Sequence, residues 1–322
     1  MHRRQFIAST LAGAAGLCPA VWASAAAFTF HLGVISDEAD ARLEHVLRDF
    51  LPHYHLRWVE LRGVRFGRRN VYLSTHGTAA EVRQVKQQLD RAGMRLSVLD
   101  TGIYKIPLPG TRAHASRADL NQVRARYRNQ MEYLKHAAGV AHALGTKKVR
   151  IFTFLRVAHP ATVFDRVVEE MHKALAVAAQ EDIELVIENE FDTNIATGAE
   201  TARFFRAIPD RRLCHNWDPG NCFAIGDEPY PQAWNQLDHS RICHIHLKDA
   251  VRLPNGRTRW MPVGKGSIDF RGQFRALKAM RYTDTMSLET HYRNARHDPW
   301  TSSMESMDGI LRLIHRTGAR AD

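Results

Sequence analysis

The sequence predicts a single α/β domain folded as a (β/α)8 barrel. Eight short segments rich in apolar and β-branched residues alternate with longer segments whose apolar residues recur at helical spacing. This alternation is typical of parallel strands joined by helices, and the 322-residue chain is long enough for eight such units. A doubly wound open sheet has the same local pattern, but no GxGxxG follows the first strand and no GxxxxGK[ST] occurs, so we favour the barrel.

The predicted strands are short and most end in polar residues or glycine. In chain order they are FHLGVIS, RWVELRG, RLSVLDT, KVRIFTF, ELVIENE, RLCHNWD, ICHIHLKD and TMSLETH. Helical segments between them include TAAEVRQVKQQLDRAG, DLNQVRARYRNQMEYLKHAAGVAHALG, ATVFDRVVEEMHKALAVAAQ, GAETARFFRAI and FRGQFRALKAM, and several of these have glycine near the C-terminal end. No linker or low-complexity tract divides the chain, so the predicted domain spans residues 28–322.

The first 25 residues are predicted to be a twin-arginine export signal that lies outside the barrel. Arg3 and Arg4 precede a weakly apolar stretch, and Ala23, Ser24 and Ala25 supply small residues for cleavage. This stretch is short and is interrupted by glycine and proline, so it is a poor membrane span. We therefore expect an exported, periplasmic protein with no stable membrane insertion after the signal is cleaved.

The composition is that of a globular protein. The chain is 44% apolar and 25% charged, with a formal net charge of +11. Its basic residues are scattered and interleaved with acids, so we expect a solvated basic surface and no nucleic-acid partner. Beyond the predicted signal the cysteines are Cys214, Cys222 and Cys243. This odd number argues against a disulfide framework and leaves at least one free thiol.

Four late strands end in residues that can bind a metal or transfer a proton. They carry Glu188 and Glu190, Asp218, His246 and Glu289. A barrel brings the carboxyl ends of its strands to one mouth, and buried carboxylates are costly there unless they are paired or bind a cation. Three carboxylates and an imidazole suit one divalent ion, namely Mn²⁺, Mg²⁺, Co²⁺ or Zn²⁺.

Position along each strand separates the predicted ligands from their neighbours. Counted from the predicted strand starts, Glu188, His246 and Glu289 lie at similar heights, and Asp218 is roughly level with them. His244 is two residues before His246 on the same face, about 6–7 Å lower, where we expect a packing residue. Glu190 lies one layer above Glu188, where a substrate or loop contact is as reasonable as ligation.

Five segments in order, LVIENEFDT, NWDPGN, HIHLKDA, VGKGSIDF and MSLETH, resemble the xylose isomerase-like barrel superfamily of sugar phosphate isomerases and epimerases. The resemblance covers nearly all of the chain after the predicted signal and is strongest over residues 183–291. It implies that Glu188, Asp218, His246 and Glu289 are the metal ligands. It also implies that Glu188 and Glu289 are the two catalytic residues that transfer protons.

The resemblance further places Asn221 and Lys248 near the substrate, and Glu190 is predicted to bind it from its position above Glu188. Lys248 could instead form an ion pair with Asp249 at the rim of the barrel, and Asp218 before proline and glycine could be a turn residue. The GKG segment is better explained as a tight turn than as a phosphate-binding loop.

The implied chemistry is proton abstraction next to a sugar carbonyl. A metal stabilises the enediolate, one glutamate removes the proton and another glutamate returns it. Return to the opposite face epimerises the sugar, and return to the next carbon isomerises it. Loss of a leaving group gives a lyase or dehydratase instead, so the motifs define the abstraction better than its outcome.

Three functions are compatible with these features. The first is a metal-dependent sugar isomerase or epimerase with a small carbohydrate substrate. The second is a lyase or dehydratase of the same superfamily acting on oxidised (3-keto) glycosides or inososes, and the third is a non-catalytic carbohydrate-binding barrel. Nuclease members of the superfamily need further histidines, but Asn221 and Thr258, Arg259 and Trp260 occupy those places. The sugar and the oligomeric state stay open.

Overall fold

Eight parallel strands form a closed barrel, as the sequence predicts. The computed structural model describes residues 27–113 and 120–322, so the predicted signal at residues 1–25 lies outside the described residues. In chain order the strands are β1 (Phe28–Val34), β2 (Trp58–Leu61), β3 (Gly63–Phe66), β4 (Arg69–Tyr72), β5 (Arg95–Asp100), β6 (Lys148–Ile151), β7 (Glu184–Glu188), β8 (Leu213–Trp217), β9 (Ile242–Leu247), β10 (Asp249–Arg252), β11 (Thr258–Met261), β12 (Thr285–Leu288) and β13 (Ala319–Ala321).

The barrel strands follow each other in the order β1, β12, β9, β8, β7, β6, β5 and β2. A parallel bridge between Ile35, directly after β1, and Glu60 in β2 closes the ring. The short β13 pairs with the N-terminal end of β1. All eight predicted strands are confirmed, with ends that differ from the predicted ones by a few residues.

Helices surround the barrel and connect its strands. They are α1 (Ser36–Ala39), α2 (Leu43–His45), α3 (Leu51–His53), α4 (Leu73–His76), α5 (Ala79–Ala92), α6 (Leu120–Arg128), α7 (Gln130–Leu144), α8 (Phe164–Glu181), α9 (Gly198–Ala207), α10 (Pro219–Ala224), α11 (Phe270–Ala279) and α12 (Pro299–His315). Short 3-10 or π-helical turns cover Val46–Phe50, Pro160–Val163, Pro229–Ala233, Trp234–Gln236 and His239–Arg241.

Local sequence explains where several of these helices begin and end. Thr78 caps α5 by accepting a hydrogen bond from the Glu81 backbone, and the Glu81 side chain accepts one from the Thr78 backbone. Gly93 ends α5 in the left-handed conformation at φ +64°. Thr197 and Glu200 form the same reciprocal cap on α9. These caps place the helix boundaries close to the predicted ones.

Two antiparallel hairpins that the sequence did not predict lie in βα loops. β3 and β4 pair after the second barrel strand, and β10 and β11 pair after the seventh. Gly67 and Gly256, both at positive φ, lie in the turns of these hairpins. Because βα loops form the catalytic face of such barrels, both hairpins lie at the mouth where the polar strand ends meet.

Cys214 and Cys243 form a disulfide, which corrects the prediction from the cysteine count. They lie near the start of the neighbouring strands β8 and β9, with Cα atoms 5.8 Å apart. Cys222 is buried as a free thiol, in line with the odd number. An odd number of cysteines leaves one thiol free but does not prevent the other two from forming a disulfide. Cys214 and Cys243 are close because β8 and β9 are neighbours in the barrel.

Removing this disulfide is expected to lower the free energy of unfolding by about 3–4 kcal/mol, because it closes a loop between residues separated by 29 positions. Urea unfolding of the double variant Cys214→Ala/Cys243→Ala measures the loss. A reducing agent should destabilise the wild type by a similar amount and leave the double variant unchanged. Equal stability of oxidised and reduced wild type would contradict this role.

In residues 27–113 and 120–322, no helix combines the length and the apolar character that a membrane crossing requires.

Candidate metal centre

Four side chains from four strand ends converge at the mouth of the barrel. Glu188 ends β7, Asp218 follows β8, His246 lies near the end of β9, and Glu289 follows β12. One ligand atom of each lies within 4.8 Å of all the others, and all four side chains are buried. The structure therefore brings together the four residues that the sequence selected.

His246 presents its two ring nitrogens to two different carboxylate environments. Nδ1 lies 3.2 Å from Glu188 Oε1, 3.4 Å from Glu289 Oε2 and 3.6 Å from Asp218 Oδ2. Nε2 lies 3.0 Å from Glu60 Oε1. A carboxylate behind an imidazole in this way orients the ring and selects the tautomer that leaves the other nitrogen free to bind a cation.

The titration of His246 reflects the negative charge around it. Burial alone would lower the pKa of His246, but the carboxylates of Glu60 and Glu188 raise it well above its ordinary value. His246 and His244 hold the pKa of Glu60 well below its ordinary value, although burial alone would raise it. The cluster thus favours positive charge at its centre.

His244 lies one layer below, as predicted. On β9 it pairs in register with Thr285 of β12, whereas His246 pairs with Ser287 two residues further along. Its Nε2 lies 2.9 Å from Glu60 Oε2 and its Nδ1 lies 2.8 Å from Thr285 Oγ1. Burial lowers the pKa of His244, and both of its ring nitrogens are used in hydrogen bonds within the barrel.

Two buried cations partly compensate the carboxylates. Lys248 Nζ lies 2.8 Å from Asp218 Oδ2 and contacts Glu289, and Arg150 contacts Glu188. Burial would raise the pKa of Glu188, but Arg150 and His246 hold it well below its ordinary value. Lys248 therefore lies within the carboxylate cluster, and neither of its ion pairs is with Asp249.

Asp249 has a structural partner instead. Its carboxylate accepts hydrogen bonds at 2.9 Å from the backbone N–H groups of Gly264 and Gly266. The GKG segment is therefore a turn wrapped around the Asp249 side chain, as the sequence favoured. A side chain at Gly266 would place Cβ 2.0 Å from Asp249 Oδ1, which explains why glycine is needed at that point.

The donor set fits a divalent ion. Asp218 Oδ2 is buried and accepts no hydrogen bond of normal geometry from the described residues. Its charged neighbour is the Lys248 ammonium, 2.8 Å away. Hard carboxylate oxygens and one imidazole nitrogen, here within 4.8 Å of one another, are the ligands that Mn²⁺, Mg²⁺, Co²⁺ and Zn²⁺ accept. The structure therefore holds a candidate metal site formed by the four residues, and the identity of the ion is open.

Asn221 and Glu190 differ in their positions relative to the open cavity. Asn221 is buried, and its Nδ2 donates to Glu188 Oε1 at 2.9 Å while its backbone N–H donates to Asp218 Oδ1. Asn221 thus orients two candidate ligands and is not among the described residues that line the cavity.

Glu190 lines the cavity, and its carboxylate accepts a hydrogen bond from Lys105 at 2.7 Å. Burial and the neighbouring Glu188 raise the pKa of Glu190.

Charged residues from the early strands complete the site, and the sequence-based prediction did not include them. Glu60 in β2 contacts both histidines, and Arg150 in β6 links Glu188 to Asp100 at the end of β5, with Arg150 Nε 2.8 Å from Asp100 Oδ1. Each is a charged residue inside an otherwise apolar strand segment. That signal is visible in WVELR and KVRIF, and it could have identified both residues.

A cavity of about 600 Å³ opens beside the cluster. Glu289, Glu190, His291 and Arg150 line the end of the cavity next to the cluster, which we call its inner end. The Trp260 ring on β11 packs edge-on against His291, with centroids 4.9 Å apart. The candidate metal centre therefore borders a cavity large enough for a small organic ligand.

His215, on the outer face of β8, supports Asp218 from behind. Its Nε2 donates to Asn189 Oδ1 at 3.2 Å, and Asn189 in turn accepts from the Asp218 backbone N–H at 2.7 Å. Burial lowers the pKa of His215 to about 3. The unfolded chain has an ordinary histidine pKa of about 6.5, so between these values only the unfolded chain binds this proton.

This difference predicts that His215 contributes full stability above about pH 6.5 and that the contribution falls as the pH drops towards 3. Lowering the pH from 7 to 5 should cost about 2 kcal/mol of unfolding free energy through this group. Denaturation of wild type and His215→Gln at both pH values measures it, because glutamine keeps a donor but does not titrate. The same pH dependence in both proteins would refute the assignment.

The chain is similar to known proteins in sequence and in fold. A family model described as xylose isomerase-like TIM barrel matches residues 53–310. A protein of Escherichia coli (strain K12) named as an L-ribulose-5-phosphate 3-epimerase, SgbU, is 25% identical over 221 residues, which is 64% of this chain and 73% of that protein.

Solved structures show the same fold. The IOLI protein with a bound zinc atom superposes with a TM-score of 0.67 at 13% identity, covering 89% of this chain and 99% of that one. The 3-keto-D-glucoside 4-epimerase YcjR from E. coli, in its apo form, superposes with a TM-score of 0.64 at 15% identity, covering 88% and 99%.

Proposed function

The chain belongs to the xylose isomerase-like TIM barrel family, and we propose that it is a metal-dependent sugar isomerase or epimerase. The observation that carries this proposal is the convergence of three carboxylates and one imidazole beside a cavity of ligand size, which Glu289 lines. Epimerases among the relatives and structural neighbours support the same class of reaction.

In this proposal Glu188, Asp218, His246 and Glu289 bind one divalent ion. When bound, the ion would supply positive charge that stabilises negative charge developing on a sugar oxygen. Lys248, in contact with Asp218 and Glu289, adds a second fixed positive charge. It is not among the described residues that line the cavity, so its contact with the substrate stays a prediction from the resemblance. Glu60 keeps the His246 ring in position by accepting a hydrogen bond from Nε2.

Glu289 is the better placed of the two proposed proton-transfer residues. It lines the cavity, so its carboxylate can take the proton from the carbon next to the sugar carbonyl, while the C–H electron pair enters the enediolate. Glu188 lies behind the cavity wall, between Arg150 and Asn221. Its part in proton transfer therefore stays a prediction from the resemblance: a proton returned to the opposite face of the same carbon would give the epimer, and one returned to the next carbon would give the isomer. Glu190, which lines the cavity with a raised pKa, is proposed to contact the substrate.

Proton exchange in D₂O tests the proposal. The metal-loaded protein is incubated with a panel of keto- and aldo-sugars, and loss of C–H signals next to the carbonyl is followed by proton NMR. Exchange with a new epimer or isomer supports the proposal. Exchange with loss of a leaving group would assign the lyase or dehydratase alternative, and sugar binding without exchange would identify the non-catalytic barrel.

Export to the periplasm stays part of the proposal. The disulfide between Cys214 and Cys243 supports it, because disulfides persist mainly in oxidising compartments. Cell fractionation of the full-length protein and of the Arg3→Lys/Arg4→Lys variant tests it, since loss of the twin arginine should retain the protein in the cytoplasm. Unchanged export of the variant would contradict the signal assignment.

A further inference from the structure

The cavity beside the candidate metal centre continues well beyond it. Its inner end is formed by Glu190 and Glu289, next to the cluster. Its outer end is formed by elements that follow the second and third barrel strands, including Tyr72 on β4 and Tyr133 on α7. The cavity therefore extends across the mouth, from the strands that carry the metal ligands to the opposite side of the barrel.

The volume exceeds what one sugar ring needs. About 600 Å³ lies in the middle of the range of about 300–1,000 Å³ in which proteins bind drug-sized ligands. A single sugar ring is smaller than such a ligand, so a ring placed against Glu289 leaves the outer end free. The outer end can bind a second group that is attached to the reacting sugar.

The outer end has the chemistry of a binding surface and not of a reaction site. Among the described residues that line the cavity, the carboxylates are Glu190 and Glu289, both at the inner end. Tyr72 is 50% exposed, and the described parts of the chain have one other exposed large hydrophobic side chain, Met280, at 39%. Tyrosine offers an aromatic face to the C–H groups of a sugar ring and a hydroxyl to its oxygens.

Charge argues against a phosphorylated substrate. Arg62, Lys105 and Arg150 line the cavity, but each is paired with buried or half-buried carboxylates, as in the 2.6 Å contact of Arg62 with Glu38. Arg126 is exposed and, within the described residues, contacts the Gly102 carbonyl at 3.4 Å. Among the described residues that line the outer end, a phosphate would meet Arg126 and His76, whereas strong phosphate sites combine several charge-assisted hydrogen bonds.

We propose that the substrate is a neutral two-ring glycoside, with its reacting ring at the metal centre and its second ring between Tyr72 and Tyr133. This proposal rests on the proposed function for the identity of the inner end. The second ring contributes affinity and selectivity, and the proton transfer takes place on the inner ring alone.

Calorimetric titration of the Mg²⁺-loaded full-length protein tests the proposal without requiring turnover. The two-ring probes are cellobiose, maltose, lactose and p-nitrophenyl β-D-glucopyranoside, and the comparison ligands are D-glucose and D-ribose 5-phosphate. We expect at least one two-ring probe to bind about tenfold more tightly than D-glucose. D-ribose 5-phosphate should bind no more tightly than D-glucose.

Variants at the outer end locate the second ring. Tyr133→Ala and Tyr72→Ala should each remove most of the tenfold advantage, and Tyr133→Phe should keep most of it because the ring remains. Tyr292→Ala, at a tyrosine that does not line the cavity, is the matched control and should keep the full advantage. The exposed Tyr72 offers a variant that is not expected to disturb folding.

The outcomes separate this proposal from the proposed function. If every two-ring probe binds no better than D-glucose, or if D-ribose 5-phosphate binds most tightly, the two-ring proposal is overturned even if sugars exchange protons in D₂O. If a two-ring probe binds with the expected dependence on Tyr133 but no sugar exchanges, the proposed reaction fails and the binding proposal stands.

Discussion

Glu289→Gln is expected to abolish C–H exchange of the sugar substrate, with a loss of about 10³-fold or more. Glu289 lines the cavity and contacts Lys248, and its Oε2 lies 3.4 Å from His246 Nδ1. Glutamine keeps an oxygen that can bind a cation, but it cannot accept the substrate proton, so the proton-transfer contribution disappears. The rate of deuterium incorporation by NMR, at one metal ion per chain, measures the effect.

The matched control is Glu132→Gln, at a glutamate whose side chain is 72% exposed on α7. This control should exchange at the wild-type rate. Bound metal is measured for both variants, so that a loss of exchange is not confused with a loss of the ion. Exchange within tenfold of wild type in a metal-loaded Glu289→Gln protein would remove Glu289 from the proton-transfer step.

The two neighbouring histidines are expected to differ strongly in their effect on metal binding. His246→Ala removes the one imidazole among the described residues that lies within 3.6 Å of all three carboxylates, so metal affinity should fall by more than about 100-fold. His244→Ala removes a partner of Glu60 one layer lower and should change the affinity by less than about tenfold. Titration of apo-protein with Mn²⁺ or Zn²⁺ gives both dissociation constants.

Each variant also needs a folding check, since both histidines are fully buried. The unfolding transition of each metal-free protein provides it. Loss of the ion in a folded His244→Ala protein, with retention in His246→Ala, would reverse the assignment of the two histidines.

Much of the fold could be predicted because its rules are local. Apolar periodicity identifies strands and helices, and parallel strands then bring their carboxyl ends to one mouth. The same alternation placed His244 and His246 on one face and on different layers, as the strand register shows. Four strand ends were thus enough to select the candidate metal ligands.

Other features depend on contacts that a linear sequence does not reveal. Glu60 lies 186 residues from His246 in sequence, and only closure of the ring between β1 and β2 brings them together. Lys248 reaches the cluster because Gly220 lets α10 approach it closely, since a Cβ at that position would lie only 2.3 Å from Lys248 Cγ. The disulfide likewise follows from the neighbouring positions of β8 and β9.

The central claim is that one divalent ion, bound by Glu188, Asp218, His246 and Glu289, is required for proton transfer. Its most direct test is to strip the protein with a chelator, add back Mn²⁺ in steps, and follow substrate C–H exchange in D₂O at each step. Exchange should vanish in the apo-protein and rise in proportion to added ion up to one ion per chain. Full exchange by the metal-free protein would contradict the claim, as would an absence of exchange for every sugar at one bound ion per chain.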